Sequence, residues 1–259
     1  MITVKNIAEL NEILDEQRSN NKSIGFVPTM GALHQGHLSL IDIANQKSDF
    51  VVASIFVNPT QFAPNEDFDQ YPRTEEQDAM LLEKVGADLL FLPTVNEIYA
   101  GGLHSDIKTG DAAMGLETDF RPDFFKGVVN VVDRLFSAVN PDVAVFGNKD
   151  YQQLQVIKQM VDETGRTTKI IGAPIIRDEH GLALSSRNAY LSQDEIKIAQ
   201  SLNAILKEAA LTDNFDQARD ALRSKGFDKI DYIEKRWDRV LAAAWLGKTR
   251  LIDNVPAKN

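Results

Sequence analysis

The chain of 259 residues has no cysteine, two tryptophans and only four histidines. Without cysteine there is no disulfide framework and no thiolate ligand, as expected in a reducing cytoplasm. Beyond His34 and His37, only His104 and His180 remain as imidazole donors, which argues against a zinc site. No apolar run approaches membrane-spanning length and no basic-then-apolar signal segment opens the chain, so a cytoplasmic protein with no membrane attachment is expected. Positive charge is also short. Lysine and arginine number 28 against 38 aspartates and glutamates, and the net charge of −10 disfavours nucleic acid as a partner while permitting a local basic cleft. Internal repeats and low-complexity linkers are absent. What is present is an ordinary apolar fraction of 43% and enough length for one large domain or two modest ones.

The stretch Gly25 to Ile41 organises the rest. Ser23 to Val27 reads as a buried strand that Pro28 ends, and Thr29, Met30 and Gly31 read as a tight turn. From Gly36 or His37 a helical spacing begins, with Leu38, Ile41 and Ala44 on one face. His34 and His37 therefore sit at a strand-to-helix junction, where free backbone N–H groups and the positive helix end are expected to gather. That is an anion site to which two imidazoles would add donors. The plainer alternatives are surface histidines at a turn, or a metal pair at H-x-x-H spacing.

The remaining pattern alternates helices and apolar strands. Ile7 to Gln17 is a helix with Ile7, Leu10 and Leu14 on one side. Phe50 to Val57 is a continuous apolar run, as in a parallel strand covered on both faces, and it leaves Asn58 and Gln61 at its carboxyl end, where open α/β sheets bind ligands. Pro64 to Pro72 is a polar loop, and Thr74 with Gln77 predicts a capping box for a helix through Lys84. Asp88 to Leu92 is a third strand. Asn96 to Asp123 has no sustained period and is a candidate lid or partner surface. A helix stripe follows at Val128, Val132, Leu135, Phe136 and Val139, then a strand at Val143 to Phe146. Gly147, Asn148, Lys149 and Asp150 come next and open a helix through Met160 that carries Gln152 and Gln153; Lys149 is either an anion-facing lysine or a solvated one. After a strand at Lys169 to Ile176, Ser185, Ser186 and Arg187 offer two hydroxyls and a guanidinium suited to clamping phosphate, unless the segment is simply a polar loop between domains. Ser192 with Glu195 predicts a second capping box and a helix to about Ala210; a helix near Asp216 to Ser224 and strands at 229–233, 240–246 and 249–252 complete the chain. The expected fold is α/β, with a Rossmann-like parallel-sheet domain over 1–177 and a small α+β C-terminal domain over 178–259.

His34-Gln35-Gly36-His37 after the first strand looks like the signature of the nucleotidylyltransferase superfamily, relatives of class I aminoacyl-tRNA synthetases. Taken with Val27 to Gly31, Ser54 to Pro59 with Gln61-Phe62, and Tyr71 to Thr74, it resembles the pantothenate synthetase (pantoate–β-alanine ligase) family. Phe146-Gly147 with Lys149-Asp150 and Gln152-Gln153, Gly181 to Asn188, and Leu251 to Asn254 extend that resemblance along nearly the whole chain.

The resemblance implies a dimeric enzyme that makes pantothenate from (R)-pantoate, β-alanine and ATP, with Mg²⁺, through a pantoyl-adenylate, its C-terminal domain closing over the active site. It implies that Met30, Gly31, Ala32, Leu33, His34, Gln35, Gly36 and His37 hold ATP, with His37 as the catalytic proton donor. Gly147, Asn148, Lys149, Asp150, Ile176, Leu184, Ser185, Ser186 and Arg187 would complete the ATP site. Gln61 and Gln153 would bind pantoate, and Gln61 β-alanine as well. Two departures stand out: Arg121-Pro122-Asp123-Phe124-Phe125 replaces the usual Arg-Pro-Gly-His-Phe, and Asn148 stands where relatives commonly carry Glu. Asp78 and Asp150 are possible metal-side carboxylates that no spacing rule singles out. The rival readings are a nucleotidylyltransferase acting on a phosphate acceptor and a noncatalytic ATP-binding protein.

Overall fold

The computed structural model describes residues 1–64, 66–103 and 105–258, so His104 lies outside the described residues. The chain divides into two compact units, one formed by 1–147 with 152–173 and the other by 148–151 with 174–259.

The first unit is a six-stranded sheet in the order β1-β4-β3-β2-β5-β6, parallel throughout. Its elements run β1 (Ile2–Val4), α1 (Ile7–Ser19), β2 (Ile24–Thr29), α2 (Gln35–Asn45), β3 (Phe50–Ile55), α3 (Glu75–Lys84), β4 (Leu89–Phe91), α4 (Val95–Ile98), α5 (Glu117–Phe120), α6 (Phe124–Val139), β5 (Val143–Gly147), α7 (Tyr151–Glu163) and β6 (Lys169–Ala173). Every residue of β3 is buried, as its unbroken apolar sequence requires of a strand covered on both faces. On one face Val27, Val51, Ala53, Leu90 and Val145 pack with Ile41 and Ala44 of α2 and Leu82 of α3. On the other, the Phe136 ring of α6 meets Phe26 edge-on at 6.1 Å. The strand order reverses direction between β2 and β5, and such a switch point is where open α/β sheets take ligands.

The second unit carries α8 (Gln193–Ala199), α9 (Ser201–Thr212), α10 (Phe215–Lys225) and an antiparallel sheet of β7 (Lys229–Arg236), β8 (Arg239–Leu246) and β9 (Thr249–Pro256). Leu202, Leu206 and Leu222 of the helices cover Ile233, Val240, Ala242, Ala244, Leu251 and Val255 of the sheet. The α/β class with a small α+β part is thus the observed one. The predicted box at Ser192 and Glu195 forms, each side chain accepting the other's backbone N–H.

Three local expectations are corrected, at Pro28, at Thr74 and in the helix after Ser192. Pro28 does not end its strand, because β2 runs through Thr29. Thr29 faces β3, accepting the Phe56 N–H, so Pro28 faces the β5 side, where pairing has already stopped at Phe26 and Ala144 and no N–H is needed. Thr74 makes no side-chain cap, since its ψ of 42° is not the extended geometry of a cap and its hydroxyl donates to Asp78 instead. The described residues of the segment from 96 to 123, the candidate lid or partner surface, are hydrogen-bonded to two helices. Asn130 and Arg134 of α6 donate to the carbonyls of Leu103, Ile98 and Gly102, and the Gln152 amide of α7 donates to those of Ala112 and Gly115. The helix expected from Ser192 to Ala210 breaks at Gln200, whose side chain reaches Asp178.

Candidate active site

The turn between β2 and α2 is built by side chains that bond its backbone. Gly31 has φ +82° and Ala32 φ +49°, so the chain doubles back in the left-handed region directly before the histidines. Thr29 donates its hydroxyl to the Ser54 carbonyl at 2.8 Å and accepts the Gly31 N–H. Asp78 of α3, only 1% exposed, accepts the N–H groups of Ala32 and Leu33 at 2.9 and 2.8 Å and the Thr74 hydroxyl at 3.1 Å. Both of its oxygens bond this turn, so Asp78 organises the histidine segment. Among the described residues no group of three or more imidazoles and carboxylates could hold a metal. The described side chains thus offer no three-ligand cage for the Mg²⁺ that the resemblance implies.

His34 caps α2, and the cap is built from two imidazoles. His34 Nδ1 accepts the Gly36 N–H at 3.1 Å, while His37 Nδ1 accepts the His34 N–H at 3.3 Å, and the rings stack with centroids 4.1 Å apart. An Nδ1 that accepts an N–H has its lone pair there, so in each neutral ring the proton sits on Nε2. This revises the expected chemistry of the junction. The N–H groups of Ala32, Leu33, His34 and Gly36 are not free for an anion, because Asp78 and the imidazoles already bond them. The donors that the histidines offer are their Nε2–H groups.

A second cluster holds Gln61. The buried Asn58 donates to Gln61 Oε1 at 3.0 Å and to the Gly127 carbonyl at 3.2 Å; its oxygen accepts the Thr60 N–H and hydroxyl and the Tyr99 hydroxyl, the last at 2.6 Å. All of the Asn58 amide is thereby used in fixing the turn Pro59–Gln61. Gly127 lets α6 approach that turn closely, since a Cβ there would overlap the Thr60 carbonyl. Burial pushes the Tyr99 phenol above its ordinary value, so at neutral pH it remains a donor. Gln61 Nε2 lies 3.1 Å from the Met30 sulfur, which joins this cluster to the histidine turn. Arg121 grips Glu66 with two nitrogens at 2.6 and 2.7 Å and lies 3.8 Å over the Phe124 ring, so Phe124 forms a platform for a guanidinium. Gln152 and Gln153 part company on α7: the Gln152 amide is buried and bonded, while the half-buried Gln153 makes no side-chain hydrogen bond among the described residues.

In the second unit Lys149 sits in the turn Asn148–Asp150 with its Nζ 3.8 Å from Asp150. Asn254 donates to the carbonyls of Asn148 and Lys149. Ile176 and Leu184 come together, the Leu184 N–H donating to the Ile176 carbonyl at 3.0 Å. Ser185 caps the short turn Ser186–Tyr190, accepting the Arg187 N–H. Arg177 binds both oxygens of Asp253 at 2.7 and 2.8 Å. Sequence reasoning passed over the roles of Asp78, Tyr99, Gly127 and Arg121. Nothing in the chain separates Asp78 from Glu75 and Glu76, the two acids just before it.

The family model described as pantoate-beta-alanine ligase matches residues 2–256. A pantothenate synthetase of Mesorhizobium japonicum is 52% identical over 272 residues, covering 97% of this chain and 96% of that protein. The solved pantothenate synthetase of Thermus thermophilus superposes with a TM-score of 0.91 at 40% identity, covering 99% of both chains. A pantoate-beta-alanine ligase from Francisella tularensis, described as complexed with beta-gamma ATP and beta-alanine, gives 0.91 at 41% identity and covers 99% of this chain and 97% of its own. Among the described residues no helix is long and apolar enough to cross a membrane. A match from end to end in both sequence and fold, with the histidine turn and the Gln61 cluster in place, makes this chain a member of the pantoate–β-alanine ligase family.

Proposed function

We propose that the chain condenses (R)-pantoate with β-alanine at the expense of ATP, through a pantoyl-adenylate, and that it works as a homodimer in the cytoplasm. The observation that carries this reading is the His34–His37 pair, whose Nδ1 atoms are engaged by backbone N–H groups. The relative described in complex with ATP and β-alanine supports the choice of substrates.

A pantoate carboxylate is ionised at neutral pH, so its attack on the α-phosphorus needs no general base. One C–O–P bond forms and the bond to pyrophosphate breaks. What the protein must supply is alignment and neutralisation of negative charge. His34 and His37 would donate through Nε2, and Lys149, Ser185, Ser186 and Arg187 would meet phosphate oxygens. Met30 to Leu33, Gln35, Gly36, Gly147, Asn148, Asp150, Ile176 and Leu184 would frame the nucleotide. Gln61 and Gln153 would hold pantoate, with Asn58 acting by fixing Gln61. ATP would arrive with Mg²⁺, which adds positive charge at the phosphates. In the second step the β-alanine amine attacks the acyl carbon, AMP leaves with the bonding pair, and the ammonium gives up a proton.

Isotope exchange tests the reading. With pantoate, ATP and Mg²⁺ but no β-alanine, labelled pyrophosphate should enter ATP, and adding β-alanine should release AMP and pantothenate in equal amounts. His37→Ala should suppress the exchange. Turnover without pantoate-dependent exchange would replace the adenylate with a concerted route, and exchange driven only by a phosphate-bearing acceptor would select a nucleotidylyltransferase.

A further inference from the structure

Asp253 and Asn254 belong to the sequence block that marks the family, yet neither has a place in the reaction just described. Both lie in β9 and are almost wholly buried, at 3% and 1% exposure. A buried amide is unfavourable unless its hydrogen bonds are made, and an apolar side chain of similar volume would fill the same space without that penalty. Here every bond is made, and each points in a definite direction. The two N–H groups of the Asn254 side chain donate to consecutive carbonyls, those of Asn148 at 2.9 Å and Lys149 at 3.0 Å. Its oxygen accepts from Arg239, whose guanidinium lies 4.9 Å over the Tyr151 ring. Since arginine only donates, Arg239 dictates which end of the amide faces the carbonyls. Asp253 accepts the Asn254 backbone N–H at 2.7 Å while held by Arg177 and Asn203, so the support is itself fixed.

Two consecutive carbonyls bound to one amide fix the peptide planes on both sides of the Lys149 Cα. They therefore fix the direction in which its side chain leaves the turn. The lysine has little else to hold it, because its pairing with Asp150 is long at 3.8 Å. We propose that Asn254 is a positioning residue for Lys149, oriented by Arg239. The role rests on the proposed adenylate-forming function, in which Lys149 meets phosphate charge.

The test is a double-mutant cycle read by pantoate-dependent pyrophosphate exchange and by overall turnover. Asn254→Asp keeps the volume and the contact to Arg239 but removes both donors. It should lower kcat about 10- to 100-fold with KM for pantoate and β-alanine within about twofold, the pattern of a lost transition-state interaction. In a Lys149→Ala background the same change should cost no more than about twofold, because a residue that acts through another adds nothing once that other is gone. A structural staple would instead lower activity equally in both backgrounds, and that result overturns the proposal. Thermal melting accompanies each variant. If Asn254→Asp does not fold, Arg239→Met carries the test, with a loss of about 3- to 10-fold that again vanishes without Lys149; no loss, or an equal loss, overturns the role. A wild-type protein that forms no pantothenate removes the functional reading and this role together. An active wild type with additive losses removes the role alone.

Discussion

The turn that carries His34 and His37 and the turn that carries Lys149 are each held by one buried side chain from an element distant in sequence, but with opposite polarity. Asp78 is an anion that accepts two backbone N–H groups. Asn254 is a neutral amide that donates to two backbone carbonyls. The carboxylate ties down a turn that includes two positive-φ residues, where a charge-assisted bond is strong enough to hold an unfavourable backbone. The amide holds a single helical turn, which needs direction more than strength. The turn with two imidazoles is thus anchored by a carboxylate that meets its backbone and not its rings. The turn with a lysine is anchored by a group with no charge to compete for it.

Three substitutions sharpen the contrast. Lys149→Ala should have the largest effect, lowering adenylate formation by about 100-fold or more while leaving the melting temperature almost unchanged, because it removes what the neutral anchor carries and not the anchor. Near-normal exchange by the folded variant would strip the lysine of its role. Asp78→Asn should act on the fold as well as on the activity. It turns an N–H group toward backbone N–H groups and should reduce stability by about 2 kcal/mol, read as a lower urea midpoint at constant slope, together with weaker use of ATP. If the midpoint does not move, the carboxylate is not the anchor of the turn. Gln61→Ala should be mildest, raising KM for pantoate about tenfold with little change in kcat, since the amide would bind substrate and transition state alike. A change confined to KM for ATP would place Gln61 on the other substrate.

Much of the framework was legible in the residues. The unbroken apolar run at Phe50 to Ile55 announced a doubly covered strand, and the Val128 to Val139 stripe announced α6, because burial on two faces or one leaves a direct mark on composition. Ser192 and Glu195 spelled out their own cap, since both partners lie within one turn of helix. Thr74 and Gln77 have the same spelling and do not form one, because Asp78 draws the threonine hydroxyl. Pro28 in β2 was illegible for a similar reason: whether a strand residue needs an N–H depends on where its neighbour strand stops.

The same division runs through the candidate site. His34, His37, Asn58, Gln61, Lys149, Ser185, Ser186 and Arg187 could be named from the chain alone, because strand ends, glycines and residue chemistry are local properties. What each can do was decided in three dimensions. The tautomer of the histidines follows from which N–H each Nδ1 accepts. The use of Asn58 as a support follows from the five hydrogen bonds that close around it. The anchors Asp78 and Asn254 stand 45 and 46 residues from Leu33 and Ala32, and 105 and 106 from Lys149 and Asn148, respectively. Hydrogen bonds are short and directional, so a side chain's partner is set by the packing that brings two segments within about 3 Å, and sequence order alone carries no record of that distance.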